Sequence, residues 1–523
     1  MRVPALFARI FGAVAIFVGV AALAPAQQVQ PVAPSKDDAD DIWETVFVRD
    51  AQGNDQQIGF AMLRREPVEV DGKKLIRGTR DLRMTIRREG QSAQLKATTG
   101  TDETIDGKVA GVFMQQWIGT QQAVVMNGTV DEDGKGISVV VQASVKNQFK
   151  NPWNPKVIGL LGEATLLRDK QVKPGDKLSY QIFEPSISHV ATINVEVKDV
   201  ENVLLPRGGK RKLLKVESTP EKIQNVQLPA STIWADPETR EPVMTQINMP
   251  GIGLLTLLRS NKKEATGPLG IPPDLMKLQT IRLGERISGG MAGLKSVTYK
   301  ITANEESEPS KLIQADDRQT IGKKEGKSFE VTVESRKMPI KLAKEEAAAD
   351  EFLASNLYIN SDDATVKKLA AQAVGKIADP WDKAKAIERY VRANMKSVNY
   401  SEAMNTADHV AKTLSGDCSE YAMLTAAMCR AQGIPSRTAL GVVYVDSPAF
   451  GGPALAFHMW TEVYVKGQWL GLDSTLGQGG IGPGHLKISD CSWHDERGFK
   501  PLLPVTGFII AKPKIEIKSA VRE

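Results

Sequence analysis

Hydrophobic and polar residues alternate with a period of two from about residue 43 to about residue 270. The segments 82–87 and 193–198 show the alternation most clearly, and this period is typical of strands with one buried face. Four dipeptides of the kind that favours tight hairpin turns lie in the same region: Asp71-Gly72, Asp106-Gly107, Asn127-Gly128 and Asp133-Gly134. Residues 43–270 are therefore predicted to form a β-rich domain, an antiparallel meander that is closed into a barrel or folded as a sandwich.

Strand signals continue from residue 271 to about residue 342. Phe329, Val331 and Val333 alternate with polar residues in this stretch, as expected of a half-buried strand. The pattern leaves two interpretations open. Residues 271–342 form a second, smaller β unit, or they extend the first β region.

The hydrophobic pattern becomes helical from about residue 344. A stretch rich in Ala and Glu, from Lys344 to Ser355, predicts a first helix. Ser361 is a suitable N-cap for a second helix over residues 362–374, and Asp379-Pro380 offers an N-cap and an N1 proline for a third. Three helices are thus expected before the first cysteine of the chain.

That cysteine begins the next predicted helix. Asp417 is a good N-cap residue, and Glu420, three positions later, can complete a capping box, which puts Cys418 at the first helical position. The free backbone N–H groups and the helix dipole favour a thiolate there. The alternative interpretation is a buried cysteine that packs as a small hydrophobic residue.

Two strands beyond this helix bring a histidine near an aspartate. Segments 457–465 and 468–475 are predicted to pair as a hairpin across the turn Lys466-Gly467. With that register, His458 and Asp473 are diagonal neighbours on one face, about 7 to 8 Å apart along the backbone. A nucleophilic cysteine needs such a pair, because the histidine takes the thiol proton and the carboxylate fixes the histidine tautomer. A register slip of one residue would move the carboxylate to the opposite face.

Four motifs of this region resemble those of one enzyme superfamily. They are Gly416-Asp417-Cys418, Gly433-Ile434-Pro435-Ser436-Arg437, His458-Met459-Trp460-Thr461-Glu462-Val463 and Trp469-Leu470-Gly471-Leu472-Asp473-Ser474-Thr475. In this order they resemble the core domain of the transglutaminase-like superfamily, over residues 345–510. The resemblance implies an α+β papain-like catalytic domain with Cys418 as nucleophile, His458 as general base and acid, and Asp473 as the residue that orients the histidine.

The resemblance implies a chemistry but not a single reaction. Members of this superfamily include amide-forming cross-linkers, proteases and amidases, and some have lost their catalytic residues. Active members pass through a thioester that water or an amine then attacks. We expect a cysteine-dependent acyl-transfer enzyme that acts on amide bonds of a protein or peptide substrate, with hydrolysis preferred over transamidation. The alternative is a cell-envelope binding or scaffold protein with a non-catalytic transglutaminase-like domain.

Residues 1–26 are predicted to be a secretory signal peptide. Two arginines accompany an apolar run from Ile10 to Leu23, and Ala24-Pro25-Ala26 has the small residues of a cleavage site; an uncleaved anchor is the alternative. Residues 27–41, which contain prolines and an acidic run, are predicted to be a linker. No later segment is apolar enough to cross a bilayer. We therefore expect an exported protein, periplasmic or extracellular, without a membrane span in the mature chain.

Charge and cysteine content exclude other classes of protein. A formal net charge of +5 on 523 residues predicts no nucleic-acid partner. Three cysteines are too few for a disulfide framework, although Cys429 and Cys491 could bond to each other. Cys491 and His494 could also bind a metal with His485, but this group lacks a second pair of suitably spaced ligands. We therefore expect no metal and no cofactor.

Overall fold

The computed structural model describes residues 41–50, 53–88, 91–118, 121–142, 146–223, 228–249, 252–272, 280–291, 293–304, 306–397, 405–447, 450–494 and 500–522. The predicted signal peptide and nearly all of the predicted linker lie outside the described residues. The chain divides into two compact units, residues 1–278 and residues 279–523. Within the described ranges, no helix has both the length and the apolar character needed to cross a membrane.

The described part of the N-terminal unit is built on one antiparallel sheet. Its strands are β1 (Ile42–Arg49), β2 (Asp55–Val70), β3 (Lys73–Arg88), β4 (Gln91–Glu103), β5 (Val109–Ile118), β6 (Gln121–Val130), β7 (Gly136–Gln142), β8 (Lys146–Pro152), β9 (Lys177–Glu184), β10 (His189–Leu204), β11 (Lys210–Pro220), β12 (Ser231–Ala235), β13 (Pro242–Met249) and β14 (Gly253–Ser260). The order across the sheet is β8 to β1, followed by β14 to β9. Helix α1 (Leu160–Asp169) lies between β8 and β9 in the chain, and α2 (Lys262–Ala265) follows β14. The predicted antiparallel β region is confirmed.

Three of the four predicted turn dipeptides connect strands of this sheet. Gly72, Gly107 and Gly134 have φ values of +73°, +83° and +67°, which glycine adopts without strain. The prediction for Asn127-Gly128 is wrong, because both residues lie inside β6. A Cβ atom on this glycine would come within 2.7 Å of Val112 Cγ2. The glycine therefore permits close packing between neighbouring strands and makes no turn.

The C-terminal unit combines two larger sheets with a group of helices. Its strands are β15 (Thr280–Arg282), β16 (Leu294–Thr302), β17 (Gln319–Glu325), β18 (Ser328–Glu334), β19 (Lys396–Ser397), β20 (Ser415–Gly416), β21 (Ser436–Ser447), β22 (Gly452–Val465), β23 (Gln468–Leu472), β24 (His485–Cys491) and β25 (Lys514–Arg522). Its helices are α3 (Ala364–Val374), α4 (Pro380–Asn394), α5 (Ala407–Thr413), α6 (Cys418–Ala431) and α7 (Leu503–Ile510). One sheet has the order β15-β22-β21-β24 with β23 paired to β22, and the other has the order β17-β18-β16-β25. The predicted α+β C-terminal region is confirmed.

One hydrophobic core joins the two sheets of this unit. Tyr299 and Phe329 of one sheet share a buried cluster with Leu455 and Leu486 of the other. Strand β15 pairs with β22, and β16 pairs with β25 at the end of the chain. The described strands of residues 280–334 therefore form part of the C-terminal unit, and they do not extend the first β region.

The predicted helix from Lys344 to Ser355 is wrong. In this stretch the structure has only the 3₁₀ turn Asp350–Phe352. Most side chains from Lys344 to Ala349 are exposed, so a helix here would bury no apolar face. Because most helical stability in proteins comes from packing such a face, a favourable composition of Ala and Glu is not sufficient.

The remaining helices differ from prediction mainly at their ends. The second helix begins at Ala364 with Asp363 as its N-cap, so Ser361 does not cap it. The third helix has Asp379 as N-cap and proline at its start, which confirms the prediction. Helix α5 was missed because seven residues are too few to show a helical period.

Helix α6 is the buried centre of the helical group. Every residue from Ser419 to Arg430 is buried, and the helix packs against α3, α4, α5 and β22. Cys418, at its first position, is only partly buried. Cys418 is therefore the partly exposed residue at the N-terminal end of this helix.

Candidate active site

Cys418 occupies N1 of α6, as the capping residues predict. Asp417 Oδ1 accepts the backbone N–H of Ser419 at 3.0 Å, and Glu420 Oε2 accepts the backbone N–H of Asp417 at 3.0 Å. These contacts complete the predicted capping box. Gly416 precedes it with φ +150°, and a Cβ atom there would collide with the Glu420 side chain. The sequence Gly-Asp-Cys therefore fixes both the cap and the position of the thiol.

The two acidic residues of the cap form a buried pair. Burial raises the pKa of Glu420 well above its usual value, and the charge of Asp417 raises it further. The hydroxyl of Ser419 lies 2.8 Å from Asp417 Oδ1 and 3.1 Å from Glu420 Oε2. Two adjacent buried carboxylates do not ionise independently, so the raised pKa of Glu420 favours its protonated form beside Asp417.

The hairpin of β22 and β23 has the predicted register. Val465 pairs with Gln468, and Asp473 follows directly after the last residue of β23. His458 Nε2 lies 2.8 Å from Asp473 Oδ2. The hairpin therefore brings together the two residues that the sequence proposed as base and orienting carboxylate.

His458 has a strongly perturbed proton affinity. Burial alone would lower its pKa, but the charge and hydrogen bond of Asp473, together with a hydrogen bond to Cys418, raise the pKa well above its usual value. Since Nε2 faces the carboxylate, Nδ1 is the ring nitrogen left for the thiol. This arrangement allows the imidazole to accept the thiol proton.

The Asp473 carboxylate accepts four hydrogen bonds. Oδ1 accepts the backbone N–H of Thr475 at 2.9 Å and of Leu476 at 3.2 Å. Oδ2 is shared by His458 and His485, whose Nε2 atoms lie 2.8 and 2.9 Å away. Burial would raise the pKa of Asp473, but its histidine partners hold it well below the usual range. The carboxylate is therefore ionised and fully occupied by donors.

The sequence did not identify His485 as a neighbour of Asp473. The sequence suggests His485 only as a metal ligand with Cys491 and His494, and the structure places its ring on the Asp473 carboxylate instead. Burial lowers the pKa of His485, and its side chain is 3% exposed. No local motif marks this residue, because its contact depends on strand β24 lying beside β21.

A divalent cation has one candidate set of ligands in the described ranges. His458, Asp473 and His485 offer ligand atoms that lie within 4.8 Å of one another. The two direct hydrogen bonds between imidazole and carboxylate already use these atoms. A cation would have to displace both ring protons from a buried site. The two imidazoles and the carboxylate therefore fit a hydrogen-bonded group better than a metal centre.

Helix α4 supports the turn that carries Asp473. Glu388 Oε1 accepts the Asp473 backbone N–H at 3.2 Å, and Glu388 Oε2 accepts that of Gly479 at 3.0 Å. Burial raises the pKa of Glu388 to about 7. Arg392, one turn further along the helix, donates to the carbonyl oxygen of Thr475. One face of α4 thus holds the turn at both of its ends.

None of the three cysteines, all of which lie within the described residues, forms a disulfide bond. The disulfide between Cys429 and Cys491 that the sequence left open is therefore not formed. Cys429 is fully buried, and burial raises the pKa of its thiol. The backbone N–H of Cys418 is one donor available to an oxyanion at the helix start. The sequence suggests Tyr400 as a second oxyanion donor, with a core tyrosine as the alternative, but this residue lies outside the described residues.

Comparisons with solved structures return distant likenesses. One is a protein named as a candidate cysteine protease from Cytophaga hutchinsonii, with 19% sequence identity, coverage of 44% of this chain and 87% of that chain, and a TM-score of 0.27. Another is a beta-barrel-like protein of a domain of unknown function from Brucella abortus, with 9% identity, coverage of 42% and 95%, and a TM-score of 0.31. A third is the periplasmic domain of TgpA from Pseudomonas aeruginosa, with 14% identity, coverage of 35% and 91%, and a TM-score of 0.23.

No curated protein matches the chain. Residues 367–474 match the family model described as "Transglutaminase-like superfamily". The matched segment contains Cys418, His458 and Asp473, and it ends before His485. Residues 367–474, within the C-terminal third of this chain, are therefore similar to the core domain of the transglutaminase-like superfamily.

Proposed function

We propose that the protein is an exported, cysteine-dependent acyl-transfer enzyme that cleaves amide bonds of proteins or peptides through a thioester. The observation that carries the proposal is the contact of His458 with both a helix-start thiol and a buried, ionised carboxylate. The match to the transglutaminase-like superfamily supports the same chemistry.

Acylation follows from the positions of the three side chains. His458 Nδ1 takes the thiol proton, and Cys418 Sγ attacks the amide carbonyl carbon to give a tetrahedral oxyanion. The Cys418 backbone N–H donates to that oxygen. The imidazolium then gives its proton to the amide nitrogen, the carbon–nitrogen bond breaks, and an amine leaves a thioester on Cys418. Asp473 stabilises the imidazolium in both steps.

Deacylation uses the same base. His458 removes a proton from water as the water oxygen attacks the thioester carbonyl, and the thiol leaves with that proton. Hydrolysis is the preferred outcome because water needs only the base, whereas an amine acceptor needs a binding surface of its own. An added amine that diverts product from the carboxylic acid to an amide would make transamidation the principal reaction.

Intact mass spectrometry with an electrophilic peptide probe tests the proposal. We expect a single adduct that is lost in Cys418→Ala. The matched control is Cys491→Ala, because Cys491 is the other partly exposed cysteine and lies outside the triad. Equal labelling of the Cys418→Ala variant and the unmodified protein would exclude an activated nucleophile at this position.

A further inference from the structure

Two imidazoles share one oxygen of the proposed orienting carboxylate. His458 and His485 donate to Asp473 Oδ2 from strands β22 and β24, which are separated by β21. His485 lies beyond the segment that matches the superfamily. Catalysis by a cysteine, a histidine and an aspartate needs only one of these imidazoles, so the second requires its own explanation.

The hydrogen bonds on Asp473 fix the protons of both rings. Oδ1 is occupied by the backbone N–H groups of Thr475 and Leu476. An ionised carboxylate only accepts, so each Nε2 atom that contacts Oδ2 must carry a hydrogen. Both rings therefore donate through Nε2, and Nδ1 of His458 remains available for the thiol. Burial lowers the pKa of His485, which favours its neutral form.

The ring of His485 is held in place from several sides. The Trp460 indole packs edge-on against it, with ring centroids 5.3 Å apart at 81°. The backbone N–H of His485 donates to Gly482 at 3.2 Å, and its carbonyl oxygen accepts Arg318 Nη2 at 2.7 Å. The charged groups around it are Asp473, His458 and Arg318. His485 is therefore a fixed donor.

We infer that His485 is a positioning residue of this site, which occupies the second acceptor position of Asp473 Oδ2 and shares the charge of the carboxylate with His458. Removing one of the two donors would change the acceptor strength of the Asp473 carboxylate in one direction only. A carboxylate that gives up one donor becomes a stronger acceptor for the donor that remains, so His485 holds the proton affinity of His458 below the value that an unshared Asp473 would impose. The inference concerns the regulation of the proposed active site and rests on that proposed function.

After removal of the His485 donor, the remaining hydrogen bonds keep the Asp473 carboxylate oriented. Two backbone N–H groups still hold Oδ1, and His458 still holds Oδ2. Replacing His485 by phenylalanine keeps a ring beside Trp460 but removes the donor. Replacing it by glutamine returns an N–H group near the position of Nε2. The two variants therefore separate the hydrogen bond from the packing.

The experiment is an NMR titration of the full chain with isotope-labelled histidine. The chain has five histidines, so assignment by single substitution is practical. We expect the His458 pKa to rise by about half a unit or more in His485→Phe and to return toward its original value in His485→Gln. An unchanged or lower His458 pKa in a folded His485→Phe variant would overturn the inference.

A second readout needs no substitution in the site. The nitrogen shifts of His485 in the unmodified protein should report a neutral ring with its hydrogen on Nε2 across the pH range of the titration. A hydrogen on Nδ1 would overturn the inference even if both variants failed to fold. Neither readout needs a substrate, so a protein that labels no peptide probe but gives the expected titration would contradict the proposed function and leave the role of His485 intact.

Discussion

Glu388 Oε1 lies 3.2 Å from the backbone nitrogen of Asp473, so one buried carboxylate holds the turn that presents another. The pKa values of the two carboxylates are shifted in opposite directions. Asp473 is surrounded by donors and has a lowered pKa, whereas burial raises the pKa of Glu388 to about 7. The pKa of Glu388 therefore makes the stability of this turn depend on pH near neutrality.

Glu388→Gln should remove that dependence. The folded pKa of about 7 lies above the usual value of 4.5, so the contribution of Glu388 to stability is fully present below about pH 4.5 and is lost as pH rises through about 7. The loss by pH 8 is about 3 kcal/mol. Urea unfolding at pH 5 and pH 8 should show most of this difference in the unmodified protein and a smaller one in Glu388→Gln. The exposed Glu345→Gln is the control, and a pH dependence equal in all three proteins would contradict the prediction.

The thiols of Cys418 and Cys429 should differ in reactivity although both belong to α6. Cys429 is fully buried and its pKa is raised by burial, whereas Cys418 is partly exposed and touches His458. Alkylation by iodoacetamide at pH 7 should be more than about a hundredfold faster at Cys418. Peptide mapping of a time course, carried out in Cys491→Ala to remove the third thiol, measures both rates. Similar rates in the folded protein would exclude the predicted activation.

The capping box and the hairpin of this site were predictable from short segments of the sequence. The capping box of Asp417 and Glu420 needs residues only three positions apart, and the turn Lys466-Gly467 sets the register that places His458 beside Asp473. Each inference depends on a short segment whose geometry has few alternatives. The helix-start position of Cys418 and the hairpin that carries His458 could therefore be located without a structure.

The contacts that support the site lie far apart in the chain. Glu388 precedes Asp473 by 85 residues, and the contact of His485 depends on how β24 pairs across the sheet. No hydrophobic period or turn motif encodes such pairings. The helix predicted over residues 344–355 fails for the complementary reason, since local composition favoured it but no buried face stabilises it.

Asp473→Asn should reduce both reactivity and stability. An amide has one accepting oxygen in place of two, so either the backbone donors of Thr475 and Leu476 or the donors of His458 and His485 lose an acceptor. We expect labelling by the peptide probe to slow by about a thousandfold and unfolding to become easier by about 2 kcal/mol. Stopped labelling assays and urea unfolding measure the two effects. Asp382→Asn, in the exposed first turn of α4 and paired with Lys385, should leave labelling unchanged and cost at most about 0.5 kcal/mol. A fully active Asp473→Asn variant would contradict the proposed orienting role.

Gly441→Ala should destabilise the sheet that carries both imidazoles. Gly441 pairs with His458 on one side and with Lys487 on the other. A Cβ atom there would lie 2.8 Å from Trp460 Cη2 and would collide with a backbone carbonyl of β24. The backbone cannot move aside as a flexible side chain would, so we expect a loss of about 2 to 4 kcal/mol in the free energy of unfolding.

The matched control is Gly482→Ala, where a Cβ atom meets nothing within 4 Å and the change in stability should stay within about 0.5 kcal/mol. Urea unfolding of both variants measures the difference. An equal loss of stability in the two variants would contradict the prediction that close packing of β21 between β22 and β24 requires glycine at position 441.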